Sequence, residues 1–260
     1  MTIQITAELV KELRDRTGVS VMQCKNALEE AEGDMDKALI ILKDKSSSIA
    51  LKKEERNAKD GLVLVKEAGS KALLFTLRTE TDFVAKNEDF VSLANKLADI
   101  AIAEGVESMK AKSPEMISEV VQKVGEKIEL GKIEEITGDV IGVYAHNTKN
   151  AVVVSLTGGS KELARDIAMH IAAMKPVYKT KEDVTEEDRQ RVIEVYEKEV
   201  ASSDKPEDIK KKILDGKINT YFSEITLMSQ AYIKNGDLTI EKLLETNGAK
   251  LNSYISEALN

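Results

Sequence analysis

The sequence predicts an α+β fold, and three observations carry that expectation. Apolar residues recur at helical spacing through the first 44 positions. Short strand-like runs then come in two pairs, Gly61–Val65 with Ala72–Leu77 and Gly142–His146 with Ala151–Leu156. Each pair is followed by an apolar-striped helical stretch, so the middle of the chain reads as two related strand–strand–helix units.

The first helix is expected to start after Thr6, bury Leu9, Val10 and Leu13, and stop at Thr17-Gly18, where glycine tolerates a left-handed cap. Ser20-Val21-Met22-Gln23 reads as a capping box, with Val21, Cys24, Leu28 and Ala31 as the stripe behind it. Gly33 ends that helix. Asp34 caps a third, striped by Met35, Ala38, Leu39 and Leu42. Such a bundle is marginal alone. It reads either as a polypeptide-binding module or as a cap on the next domain. A polar linker, helical or not, is expected at 46–60.

Ala68-Gly69-Ser70 marks a hairpin turn, and Asn87 caps a helix with Phe90, Ala94, Leu97 and Ala101 on one face. Ser113-Pro114 is expected to open another, because proline suits a first helical position. In the second unit a helix runs from Glu162 to Met174 and closes at Lys175-Pro176. Thr185 to Gly216 reads as a projecting helical hairpin, apolar at Val192, Val195, Tyr196 and Val200 and broken at Ser202–Pro206. It is either a solvated arm or a second contact point. The expected organisation is therefore a helical domain over 1–45, a linker over 46–60 and one core subdomain over 61–140. A second core subdomain spans 141–178 with 218–260, and the arm covers 179–217.

Composition limits function. Hydrophobic residues make up 42% and charged residues 32% of the 260, which suits a packed protein. No run approaches a membrane span of about 18 apolar residues, so no membrane role is expected. The first residues lack the basic start and apolar stretch of a signal peptide. With a single cysteine, the expected location is the cytoplasm. Cys24 falls on an apolar helix face and reads as packing. His146 and His170 are the only histidines, too few with one Cys for a zinc cluster. A net charge of −8 with 4% aromatics argues against direct nucleic-acid binding.

No catalytic set stands out among the motifs, and no cofactor or metal is expected. Gly125–Lys132 imitates a phosphate loop but has five residues between its glycines, lacks Ser or Thr at 133, and carries two glutamates that would repel phosphate. Thr157-Gly158-Gly159-Ser160 is equally a small anion nest or a sheet-to-helix turn. Each lone histidine reads first as packed or interfacial. One feature breaks the internal repeat. Leu77 to Leu97 spans 20 positions and Leu156 to Ile167 spans 11, so the first copy carries nine extra residues around Thr79–Asn87. Extra residues on a loop between rigid elements often carry function. Phe83 in that insert is either an exposed anchor for a partner's pocket or a core residue folded back on its own unit.

Leu9–Gly18, then Met22-Gln23-Cys24-Lys25-Asn26-Ala27-Leu28, resemble the start of the bacterial elongation factor Ts family. Glu80-Thr81-Asp82-Phe83-Val84-Ala85-Lys86-Asn87 resembles that family's signature loop, and Ile167–Pro176 its later helix. The resemblance spans about residues 1–250. It implies a ubiquitin-associated-like (UBA-like) N-terminal bundle, a two-subdomain core and a helical-hairpin arm. It further implies a cytoplasmic translation elongation factor acting in protein biosynthesis. That factor would be a guanine nucleotide exchange factor for elongation factor Tu, not a bond-making enzyme, alone or as a homodimer or 2:2 complex. By the same resemblance Thr81, Asp82, Phe83 and Val84 would disturb the partner's magnesium site, and Arg14, Met22, Lys25, Val124 and His146 would touch the partner. Asn147-Thr148-Lys149-Asn150 departs from the family's usual turn beside His146, Val21 is a mild change, and some relatives continue past position 260 into another helix. The competing reading is a UBA-type polypeptide-binding adaptor or chaperone, which would not need the Phe83 loop.

Overall fold

The computed structural model describes residues 5–201 and 206–259. The chain is an α+β protein that divides into two compact units, 1–135 with 145–151 and 257–260, and 136–144 with 152–256.

In the first unit, helices α1 (Ala7–Thr17), α2 (Val21–Glu30) and α3 (Met35–Leu51) form the predicted bundle. Each begins at a side-chain cap. Thr6, Ser20 and Asp34 accept backbone N–H groups from Leu9, Gln23 and both Asp36 and Lys37, satisfying donors that the first turn leaves free. Only half of the expected capping box forms: the Ser20 hydroxyl takes the Gln23 N–H, while Gln23 Oε1 finds no partner. Leu13, Cys24, Leu28, Ala38 and Leu42 make a core of their own. Burial raises the Cys24 thiol, so the residue behaves as a small hydrophobe. Helix α3 continues through Leu51, so the linker expected at 46–60 is helical over its first six residues. Ser46 is buried and its hydroxyl lies 3.2 Å from that of Ser118.

Strands β1 (Asp60–Ala68) and β2 (Lys71–Thr79) pair antiparallel about Gly69-Ser70, and Gly69 takes φ 61° as the two-residue turn requires. Strand β3 (Ile128–Thr137) completes the order β1-β2-β3. The one-turn helix α4 (Asp82–Ala85) follows β2. Helices α5 (Glu88–Glu104) and α6 (Val106–Val124) come next. Phe90, Ala94, Leu97 and Ala101 of α5 pack against Leu73, Phe75 and Leu77 of β2. Proline 114 does not open a helix, contrary to expectation: α6 starts eight residues earlier at Val106, and Pro114 lies inside it. Pro114 has no N–H for the Lys110 carbonyl, and the Ser113 hydroxyl donates to that carbonyl instead, at 3.0 Å.

Strands β4 (Val140–His146), β5 (Asn150–Thr157) and β8 (Lys250–Ala258), most of whose residues belong to the second unit, form a sheet in the order β4-β5-β8. Helix α7 (Lys161–Met174), capped by Ser160, sets Ile167, Ala168 and Ile171 against Val152, Val154 and Leu156. Lys175 ends it with φ 46°. Both sheets thus place a largely buried strand, β2 or β5, in the middle and against a helix, the repeat read from sequence. The segments β6 (Ala231–Tyr232), β7 (Asn235–Thr239) and α10 (Ile240–Thr246) finish the core.

The hairpin comprises α8 (Glu186–Ala201) and α9 (Glu207–Ile225). Of the break expected at Ser202–Pro206, residues 202–205 lie outside the described residues. Tyr196 meets Tyr221 edge-on at 6.1 Å, and Tyr221 meets Phe222 at 5.3 Å. Helix α9 passes through Gly216 without stopping. Val195 is exposed rather than part of the apolar side, because Val192, Tyr196 and Val200 already form the i, i+4 stripe. No described helix is long and apolar enough to cross a membrane.

Candidate functional site

The nine-residue insert becomes α4 and its flanks. Thr81 is extended (φ −129°, ψ 157°) and caps the turn through its hydroxyl, which accepts the Val84 N–H at 3.4 Å. Ala85 N–H donates to Thr81 O at 3.1 Å, and Asn87 N–H to Val84 O at 2.9 Å. Asn87 then caps α5 by accepting from Asp89 N–H at 2.9 Å. Ala85 and Val84 point into the core beneath. In an α-helical turn Phe83 must therefore face away, and its side chain is 82% exposed. The choice that sequence left open is settled for the exposed position.

The rest of the loop is polar and cross-linked. Asp82 pairs with Lys86 at 2.7 Å, and that lysine holds the carboxyl below its usual range. Glu126, on the turn between α6 and β3, accepts from Thr81 N–H at 3.0 Å, Thr81 Oγ1 at 2.7 Å and Thr79 Oγ1 at 3.0 Å. Glu80 accepts from Lys127 N–H at 2.6 Å and from Arg56 at 3.3 Å; the Lys127 bond is the main reason its carboxyl is depressed. Sequence reasoning missed Glu126 and Glu80 as supports. Their partners lie 24 to 47 residues away, and no local pattern announces them.

The other predicted residues fall around this loop or on the bundle. Val124 is half-buried at the last turn of α6, two residues before Glu126. His146 is exposed at the end of β4. The turn after it is tied to the loop's strand: Val63 N–H donates to Thr148 O at 2.7 Å, and Lys149 pairs with Asp60. Lys149 also acts electrostatically on Asp82. Arg14 and Lys25 are exposed on α1 and α2 and line an open groove of about 390 Å³ with Val10 and Val21. Met22, 64% exposed, sits next to Val21. Lys123 bridges the two regions. It packs its stem on Gly18 of the bundle and pairs with Asp89 at 2.9 Å, one turn beyond the loop. Among the described residues no group of acidic, His or Cys side chains could hold a metal ion.

A protein-family model described as elongation factor TS matches residues 80–259, beginning at the first residue of this loop. The elongation factor Ts of Hahella chejuensis (strain KCTC 2396) is 40% identical over 254 residues, covering 95% of this chain and 89% of its own. The chain belongs to the elongation factor Ts family. It carries a translation elongation factor's sequence over nearly its whole length, bundle included. In this elongation factor Ts homologue the loop presents an exposed aromatic, Phe83, beside the Asp82–Lys86 pair on a hydrogen-bonded turn.

Proposed function

We propose that this chain is a guanine nucleotide exchange factor that accelerates GDP release from elongation factor Tu. The observation that carries the reading is the exposure of Phe83 on a hydrogen-bonded turn in which Ala85 is buried and Val84 half-buried. Leaving a phenylalanine this far in water forgoes the roughly 1.5–3 kcal/mol that burying it yields. A partner's apolar pocket recovers that energy on docking.

The mechanism follows from linkage. Phe83 enters a pocket that is favourable only when the partner's nucleotide site has shifted, with Asp82 beside it and Thr81 and Val84 fixing the angle of entry. The shift displaces magnesium and phosphate contacts, and GDP leaves faster. Only interactions that differ between the two partner states can do this. The factor by which this protein weakens GDP binding equals the factor by which GDP weakens this protein's binding. Arg14, Met22 and Lys25 form a second contact from the bundle, and Val124 and His146 border the loop's own. No bond is made or broken, so the chain acts as an exchange factor and not as an enzyme of bond chemistry.

The test is release of a fluorescent GDP analogue from elongation factor Tu into excess GDP. Wild type is expected to accelerate release and Phe83→Ala to lose most of that acceleration. Folded wild type that leaves the release rate at its spontaneous value would overturn the reading in favour of an adaptor built on the bundle.

A further inference from the structure

We infer that Glu126 is a positioning residue for the Phe83 loop, a role that rests on the exchange-factor reading. Its carboxylate takes three hydrogen bonds from a segment 45–47 residues away, and all three come from Thr79 and Thr81, just before α4. Oε2 accepts from Thr79 Oγ1 and Thr81 N–H, both at 3.0 Å, and Oε1 accepts from Thr81 Oγ1 at 2.7 Å. Charge-assisted bonds of this kind are shorter and stronger than neutral ones.

The bond to Thr81 Oγ1 does more than hold a side chain. A threonine hydroxyl has one proton. When that proton is given to Glu126, the lone pairs are left for the Val84 N–H, which is the cap that starts α4. Glu126 therefore selects the hydroxyl orientation that builds the turn presenting Phe83. The residues on either side of Glu126 are themselves held. Gly125 before it turns the chain with φ 77°, and its carbonyl accepts from Lys53 Nζ at 2.5 Å. Lys127 after it gives its N–H to Glu80 and its ammonium to Glu54 O at 2.8 Å. Phe83, being exposed, adds little to holding its own turn. Rigidity at this point matters because a loop already in its bound shape avoids an ordering cost on docking.

The experiment is a titration of GDP release from elongation factor Tu, run well below the melting temperature. It compares wild type, Glu126→Ala, Glu126→Gln, Phe83→Ala and the double variant Glu126→Ala/Phe83→Ala. Amide hydrogen exchange over residues 81–87 is measured on the free proteins. Glu126→Ala is expected to raise the half-saturating concentration about tenfold while the maximal rate stays within about twofold. Glu126→Gln keeps one acceptor oxygen and the side chain's volume, so a smaller rise is expected. In the Phe83→Ala background, Glu126→Ala should add less than twofold. Residues 81–87 should exchange about tenfold faster without Glu126. Wild-type titration curves for both Glu126 variants, unchanged amide exchange, or additive losses in the double variant would each overturn the proposal. Additivity would mark a general structural role. Should wild type itself leave GDP release unaltered, the exchange-factor reading fails, and the amide exchange still decides whether Glu126 holds the loop.

Discussion

His170 is one of two histidines, and its surroundings predict a purely structural role with a defined pH signature. The ring is fully buried. Ile233 N–H donates to Nδ1 at 3.3 Å, so Nδ1 is the unprotonated nitrogen. Nε2 therefore carries the hydrogen and donates to Gln230 Oε1 at 2.9 Å, while Gln230 Nε2 donates to Glu224 O at 2.6 Å. Replacing His170 by Leu keeps the volume but strands the Ile233 N–H and Gln230 Oε1. A stranded buried polar group costs about 1–3 kcal/mol, and of the two only Gln230 Oε1 sits on a buried residue, so the change costs about 1–3 kcal/mol. For a protein of this size that lowers the melting temperature by about 2–12 °C. Burial also holds the imidazole pKa below its ordinary 6.5. The unfolded chain then binds the proton first as pH falls. The stabilisation is complete above pH 6.5 and is lost as pH drops through the lowered folded value, at no more than about 1.4 kcal/mol per pH unit. Calorimetric melts at pH 7.5 and 5.5 should show wild type losing stability between them, with a shallower loss in His170→Leu. A variant that melts within about 2 °C of wild type would refute the hydrogen-bond reasoning. One that folds normally but exchanges no nucleotide would place His170 in the functional site.

Other outcomes follow from the same structure. Phe83→Ala should leave the melting temperature within about 2 °C of wild type, since an exposed side chain away from packing contributes within about 0.5 kcal/mol; thermal melts check this. Gly142→Ala should cost about 3 kcal/mol or more, because a Cβ there would sit 2.2 Å from the Ala164 carbonyl carbon and backbone cannot step aside. Urea titration measures that loss. Arg14→Glu with Lys25→Glu should slow association with elongation factor Tu and flatten its salt dependence, as charges around an exposed groove act mainly on encounter. Stopped-flow association at two ionic strengths reads the effect.

What the sequence revealed and what it hid divide along physical lines. Caps are local, so Thr6, Asp34, Asn87 and the glycine stops were legible, and so were the apolar runs of β2 and β5. The signal failed where tertiary partners decide. Pro114 reads as a helix start until the Ser113 hydroxyl is seen to replace the missing donor. Strand β3 was not anticipated, because Glu129, Lys132 and Glu134 interrupt its apolar residues and only pairing beside β2 makes it a strand. Phe83 could be located on an insert but not assigned a direction; the packing of half-buried Val84 and buried Ala85 against the core supplies that. Glu126 carried no local mark at all, since its three donors come from another part of the chain.

The central claim is that Phe83 couples docking to nucleotide release. Its most direct test is calorimetric: the affinity of wild type and of Phe83→Ala for nucleotide-free and for GDP-bound elongation factor Tu. A coupling of about 3 kcal/mol corresponds to roughly 150-fold. Wild type should prefer the nucleotide-free form by about that factor, and Phe83→Ala by less than about tenfold. An undiminished preference in the variant would contradict the account and move the coupling to contacts other than Phe83.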